Sequence, residues 1–338
     1  MNEKMDIPSR FNNRRLYEII NSKRSFKITP MRNNVSGEST ISIVIPNWNS
    51  LYLLKEHLPH VLDAVSEAEV IVADDMSTDG SVEYLKQHFP NVRVVQRRSH
   101  NGFATNVNAG VAAAKGDVVV LLNTDVEPEK DFLLPLLSHF RDPRVFAVGC
   151  LEKSKEQGIT VLRGRGLAHW VKGYYIHSRG EASKTDTAWV AGGSGAFRKS
   201  MWGQLGGMDT LFNPFYWEDI DLSYRARKNG WKTLFEPKSI VCHYHEEGKI
   251  KREFTSNMVT RIAYRNQYIF IWKNITDFDL IVEHVLWTPV RLLQAVLRGD
   301  FLMIDGFMRA IWRLPSIMKY RIQHSHLKHS DKSLAIWQ

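Results

Sequence analysis

The chain has 338 residues, 43% hydrophobic and 24% charged, which suits one large α/β domain or a domain with a helical appendage. A net charge of +9 and a pI near 9.4 point to an anionic partner: nucleic acid, a membrane surface or a phosphorylated substrate. Two cysteines, Cys150 and Cys242, exclude a disulfide framework and fit a reduced, cytoplasmic setting, and the polar start Met1–Arg10 has no apolar core of a signal peptide.

Residues 1–38 are polar and rich in Asn and Arg, and read as a basic N-terminal arm, poorly ordered or peripheral. Four apolar runs follow: Ile41–Ile45, Val70–Ala73, Val92–Val95 and Val118–Leu122, with helix-patterned or small-residue segments between them. Continuous apolar strands alternating with helices predict an α/β domain with a mostly parallel sheet covered on both faces. Ligands of such sheets bind at the carboxyl ends of the strands, which here carry Pro46-Asn47, Asp74-Asp75 and Asn123-Thr124-Asp125. Further on, Val190–Ala196 is a small-residue segment that a ligand can approach closely. A strand is expected over Lys232–Phe235, and helices over Phe254–Trp272, Asp279–Leu297 and Phe301–Tyr320.

The most informative stretch is Phe215-Tyr216-Trp217-Glu218-Asp219-Ile220-Asp221-Leu222, where three carboxylates sit among aromatics ahead of a basic helix, Ser223–Lys228. Desolvation raises a carboxylate's proton affinity, so an acid in such surroundings is a candidate general base; the plainer reading is a helix N-terminus whose acids complement the dipole. His243 and His245 flank Tyr244 at a strand exit, on one side of the strand, so either could be a ligand. The basic pI alone suggests nucleic acid, but no zinc-finger spacing, RNP-type motif or helix-turn-helix signal supports that, and no nucleic-acid partner is expected.

In order and rough spacing, SIVIPNWNS, VIVADDMSTDGS, GFATNVNAG, GDVVVLLNTDVEP, GGSGAF, YWEDIDLSYRARKNGWK and VCHYH resemble glycosyltransferase family 2, over about residues 40 to 275. The resemblance implies a GT-A fold and an inverting transferase that takes a sugar from a nucleotide-diphospho-sugar donor to a hydroxyl of a glycan or lipid-linked acceptor. Bacterial enzymes of cell-surface polysaccharide assembly, rhamnosyltransferases among them, look most similar. With the helical patterning after Lys249, the expected organisation is a GT-A catalytic domain over 39–250 and a C-terminal helical extension over 251–338. The resemblance places Pro46, Asn49, Asp74 and Asp75 at the nucleoside. Asn123-Thr124-Asp125 stands where the family has Asp-x-Asp, so Asp125, with His243 or His245, would hold Mg²⁺ or Mn²⁺. Gly192 and Gly193 would line the donor sugar and acceptor, Asp219 would be the base, Glu218 would orient the acceptor, and Trp217 and Tyr216 would offer flat faces to a sugar or lipid. Asp221 is expected to cap the following helix, and Arg265-Asn266 to serve a phosphate or an interdomain contact. The alternatives are a catalytically silent nucleotide-sugar-binding module and a nucleotidyltransferase, although the latter needs a glycine-rich phosphate loop where this chain has Pro46-Asn47-Trp48-Asn49.

The last eighty residues repeat apolar positions at helical spacing with Arg and Lys between them, the composition of an interfacial helix on an anionic membrane, of a packing layer or of a homodimer interface. No run of about 18 apolar residues is expected to span a bilayer. The expected location is cytoplasmic, with peripheral attachment to the inner face of the membrane.

Overall fold

The computed structural model describes residues 40–65, 68–156, 158–244, 248–323 and 329–334. The basic arm 1–38 and His245 lie outside them. Each of the four apolar runs forms a strand: β1 (Ile41–Asn47), β2 (Glu69–Asp74), β3 (Arg93–Gln96) and β4 (Val118–Leu122). Three helices alternate with them, α1 (Leu51–Ala64), α2 (Ser81–His88) and α3 (Phe103–Ala113). The pairings β1–β2, β2–β3 and β1–β4 are parallel. Successive residues of β1 feed opposite cores, as a period of two requires. Ile43 and Ile45 join Leu54, Leu58 and Val61 of α1, whereas Val44 joins Val107 and Val111 of α3. Gly110 permits that second contact, because a Cβ there would lie 2.5 Å from Val44 Cγ1.

The second half of the sheet is mixed. After β5 (Val126–Pro128) and α4 (Leu133–Ser138), the long β6 (Val145–Glu156) folds back on β7 (Ile159–Arg163), and the separate hairpin β8 (Gly166–Val171) with β9 (Tyr174–Arg179) follows. β10 (Ser194–Arg198) runs antiparallel to both β4 and β6. Then come α5 (Lys199–Gln204), α6 (Glu218–Lys228) and β11 (Lys232–His243), which pairs parallel with β6 and antiparallel with β5. The resulting nine-stranded sheet has the order β3-β2-β1-β4-β10-β6-β11-β5, with β7 on β6. β11 continues eight residues beyond the expected Phe235, across an irregularity between Glu236 and Ile240 that accommodates Pro237.

Beyond the sheet lie α7 (Lys249–Glu253), α8 (Ser256–Asn274), α9 (Phe278–Arg298), α10 (Phe301–Ile311) and α11 (Leu314–Gln323). The helix expected over Phe301–Tyr320 is thus two, interrupted at Trp312-Arg313 where Pro315 begins a new first turn. α9 is long and apolar enough to cross a membrane by length and composition, which corrects the expectation that no such segment is present.

A buried charge cluster ties α8 to α6. Asp221 lies inside α6 and is fully buried; it is no cap, and this corrects the expectation for that residue. Its carboxylate meets Arg225 Nε at 2.7 Å, Lys273 Nζ at 2.6 Å and Asn274 Nδ2 at 2.8 Å, while Lys273 also reaches Asp209 at 2.8 Å. The cations hold the Asp221 carboxyl below its usual range against the opposing effect of burial. A second buried pair, Lys228 with Asp331 at 2.7 Å, anchors the C-terminal turn to the same helix.

Candidate active site

Two adjoining chambers open where the carboxyl ends of β1, β2 and β4 meet the N-terminus of α6. The first, about 260 Å³, is lined by Pro46, Asn47, Trp48, Asp75 and His100 at one end and by Asn123, Asp125 and His243 at the other. The second, about 450 Å³, is lined by Gly192, Gly193, Glu152, Glu218 and Asp219. Asn123, His243 and Lys251 border both.

The acidic pair after β2 divides its tasks. Asp74 is fully buried and works within the protein, accepting from Asn47 Nδ2 at 2.8 Å and from Ser77 N at 2.9 Å. Asp75 lines the first chamber, with Arg97 Nε at 3.1 Å, His100 Nδ1 at 2.8 Å and Gly102 N at 2.9 Å. Asn49 does not line either chamber; with φ of 47° it turns the chain and accepts from Thr78 N at 2.7 Å. Asn47, at the strand end expected to meet a ligand, does line this end, and with it come residues that sequence reasoning missed: Asn106, Trp48 and His100, the last two stacked with ring centroids 4.2 Å apart. Gly102 is required here: its φ is 94°, and a Cβ would come within 2.8 Å of Pro214 Cα.

At the junction, Asp125 Oδ1 and His243 Nε2 are 3.3 Å apart and both side chains are nearly buried. His243 Nδ1 lies 3.4 Å from Glu152 Oε2, and Glu152 also accepts from Ser194 Oγ. Burial lowers the affinity of His243 for its proton, but hydrogen bonds to Asp125 and Glu152 outweigh it and raise the pKa to about 10. Among the described residues no group of three or more His, Cys, Asp or Glu is arranged to hold a metal. A carboxylate and an imidazole converging on one point still suit a divalent cation that draws its other ligands from phosphate and water. Glu152 and Lys251 carry no signal in a lone sequence; only the fold brings them here.

Asp219 accepts from Gly192 N at 3.2 Å and from Ile220 N at 2.8 Å, and is partly open to the second chamber. Glu218 beside it is buried, and its Oε2 has no hydrogen-bond partner. Burial raises the proton affinity of both; the Asp219 charge adds to that of Glu218, while backbone N–H groups partly restrain Asp219. Gly193 packs on Asn123, whose backbone N–H donates to Gly193 O at 2.9 Å. Trp217 lines neither chamber: it is buried against Tyr175, His177 and Phe270, which corrects its expected place at the sugar. Tyr216 borders both chambers.

The turn into α6 is strained, with Tyr216 at φ 70° and Trp217 at φ 77°. Asn266 of α8, fully buried, holds it: its Nδ2 donates to the carbonyls of Phe212 at 3.0 Å, Phe215 at 3.0 Å and Tyr216 at 2.7 Å. Arg265 donates to Asn213 O at 2.6 Å and to Asn266 Oδ1 at 2.9 Å. Of the two roles expected for this pair, the contact between parts of the fold is the one seen.

Residues 42–203 match the family model described as Glycosyl transferase family 2. The chain is 28% identical over 263 residues to the N-acetylglucosaminyl-diphospho-decaprenol L-rhamnosyltransferase of Mycobacterium tuberculosis, covering 68% of this chain and 84% of that protein. Among solved structures, it is similar to a mannosyltransferase from Pyrobaculum calidifontis in complex with GDP-Man and Mn²⁺, with a TM-score of 0.55, 16% identity, and 88% and 94% of the two chains covered. It is also similar to S. aureus TarS 1–349 in complex with UDP-GlcNAc, with a TM-score of 0.54, 16% identity and 79% of each chain covered. At these identities the two structures bear on the fold alone. The chain therefore carries a glycosyltransferase family 2 domain and is a glycosyltransferase of GT-A fold, continued past its sheet by packed helices.

Proposed function

We propose that the enzyme is inverting and metal-dependent, and that it moves a sugar from a nucleoside-diphosphate donor to a hydroxyl of a lipid-linked or glycan acceptor on the cytoplasmic side of the membrane. The observation that carries this reading is the placement of Asp219. Its carboxylate opens into the second chamber, which adjoins the first at Asn123, His243 and Lys251. In this reading the nucleoside lies against Pro46, Asp75 and the Trp48–His100 stack, and the sugar extends past Gly192 and Gly193 towards Asp219.

The acceptor oxygen then bonds to the anomeric carbon as the bond from that carbon to the diphosphate oxygen breaks on the opposite face. Asp219 takes the hydroxyl proton, and the nucleoside diphosphate leaves with the bonding electron pair. Two carboxylates in one desolvated place do not both ionise readily, so a protonated Glu218 leaves the charge on Asp219 and orients the acceptor. The raised proton affinity of Asp219 brings it closer to the working pH of a general base. Asp125 and His243 would hold Mg²⁺ or Mn²⁺, which when bound neutralises the departing diphosphate. Lys251, at the border of both chambers, adds a second positive charge there. We assign catalysis to residues 39–250 and the support of its base-bearing turn to 251–338, through Arg265 and Asn266.

A thermal-shift screen of UDP-, GDP- and dTDP-sugars with and without Mn²⁺ tests the donor site. At about a hundredfold excess over Kd a ligand stabilises by about 2.7 kcal/mol. The reading expects one nucleotide to raise Tm in a Mn²⁺-dependent way, and Asp125→Asn to remove the Mn²⁺ dependence. Absence of a shift with any of the donors contradicts it.

A further inference from the structure

α9 is built inside out. Three of its polar side chains, Glu283, His284 and Arg291, point to protein: Glu283 accepts from Trp170 Nε1 at 2.7 Å and Gly173 N at 3.1 Å, and His284 bonds Gly173 O at 2.6 Å and Trp272 Nε1 at 2.9 Å. Arg291 donates to Val171 O at 3.1 Å and lies 4.2 Å from the centre of the Tyr174 ring. The opposite face is apolar and bare. Phe278, Val282, Leu286, Val290, Leu293 and Leu297 recur at steps of three and four residues, and Leu293 and Leu297 are 60% and 77% exposed. The stripe runs the length of a helix of about 31 Å. Of the 19 large hydrophobic side chains exposed among the described residues, 13 lie between Phe278 and Ile322. They are therefore concentrated on α9, α10, α11 and the turn between the last two, and are not scattered evenly over the exterior.

The charges on these helices are one-sided. The four acids are all engaged: Asp279 with Lys332, Glu283 with Trp170, Asp300 with Tyr264 and Asp305 with Arg309. Arg298, Arg313 and Lys319 are exposed, and each directly follows an exposed apolar residue: Leu297, Trp312 and Met318.

We infer that α9, α10 and α11 form a membrane-docking face that lies flat on an anionic bilayer, apolar stripe in the acyl boundary and cations at the headgroups. A second copy of the chain is the less suitable occupant, because stripe-to-stripe pairing brings two sets of these cations together with no free acid on either helix set to answer them. Spanning the bilayer is likewise disfavoured, since it would carry Glu283, His284 and Arg291, with the hairpin they bind, into hydrocarbon. The inference serves the lipid-linked reading of the acceptor, but vesicle binding requires neither donor nor transfer, so the two fail separately.

The test is flotation of the full chain with vesicles of phosphatidylcholine containing about one-third phosphatidylglycerol, against vesicles of phosphatidylcholine alone. The wild type is expected to float with the anionic vesicles and to lose binding in high salt. The double variant Leu293→Glu/Leu297→Glu should weaken binding at least about tenfold with its Tm unchanged. Arg298→Ala and Arg313→Ala should each weaken it up to about fivefold. Failure of the wild type to float overturns the inference, as does equal binding to both vesicle types. A stable dimer that Leu293→Glu/Leu297→Glu dissociates assigns the face to a second copy instead.

Discussion

Replacing Asn266 with Ala isolates the contribution of α8 to catalysis. The side chain supplies two amide protons to three carbonyls, those of the buried Phe212 and Phe215 and that of Tyr216, and the best of these bonds, 2.7 Å to Tyr216, closes on a turn with two left-handed residues. Its loss strands about two acceptors at about 1–3 kcal/mol each, so a destabilisation of about 2–6 kcal/mol follows. For a unit of this size that is a fall in Tm of roughly 3–10 °C. Freed of its clamp, the strained turn relaxes and shifts Glu218 and Asp219 at the start of α6, a displacement that should lower kcat by about a hundredfold. The loss in kcat should exceed any rise in donor KM, which a merely less stable enzyme assayed below its Tm would not show. Asn266→Asp should be worse, because a carboxylate cannot donate to the same carbonyls. Melting curves and steady-state transfer measure both effects. An Asn266→Ala enzyme with Tm within about 1 °C of wild type and kcat within about twofold refutes the reasoning.

Lys273→Met leaves Asp221 buried with one cation fewer and should cost about 3–5 kcal/mol by denaturant titration; a change below about 1 kcal/mol removes the cluster as an anchor. Lys251→Gln should weaken inorganic pyrophosphate about fivefold or more in a Mn²⁺-containing titration. Lys249→Gln should do less, since Lys249 is already paired with Glu253 at 2.7 Å; equal effects would argue against a particular role for Lys251. The raised carboxyls of Glu218 and Asp219 fix a sign for pH. Groups whose folded pKa is raised give stability below the unfolded carboxylate range and lose it as pH climbs through the folded value. Glu218→Gln cannot ionise, so its Tm relative to wild type should improve from pH 5 to pH 8. A constant difference would show that Glu218 is not desolvated as the structure has it.

The first half of the sheet was legible because β1, β2 and β4 are buried on both faces and so read as unbroken apolar runs, while the edge strand β3 is partly exposed and keeps only Val94 and Val95 of such a run. The stretch holding β6 to β9 is less legible in the sequence. β7 and β9 are short, partly exposed strands with polar residues such as Thr160, His177 and Ser178, which periodicity alone does not separate from loop. Asp219, Asp125 and His243 stand out in the sequence through their motifs, and the structure places them around two adjoining chambers that share His243. Trp217 was misplaced because aromatic character does not say which way a side chain points, and its left-handed backbone turns it into the core. Asp221 misled for a related reason: α6 starts at Glu218, so an acid expected at the helix entrance falls within the first turn and meets Lys273, 52 residues away in sequence. Glu152 and Lys251 depend wholly on long-range packing, and Asn266, singled out with Arg265 in the sequence, owes its place under the turn to the same packing.

The most direct test of the account is sugar transfer by Asp219→Asn, run alongside donor binding by the same protein. The account predicts transfer lowered by about 10²–10⁴-fold with donor affinity nearly unchanged, since the amide keeps the shape of the chamber and loses only the ability to take the acceptor proton. Retained transfer, or loss of donor binding in step with transfer, would contradict the assignment of Asp219 as the base.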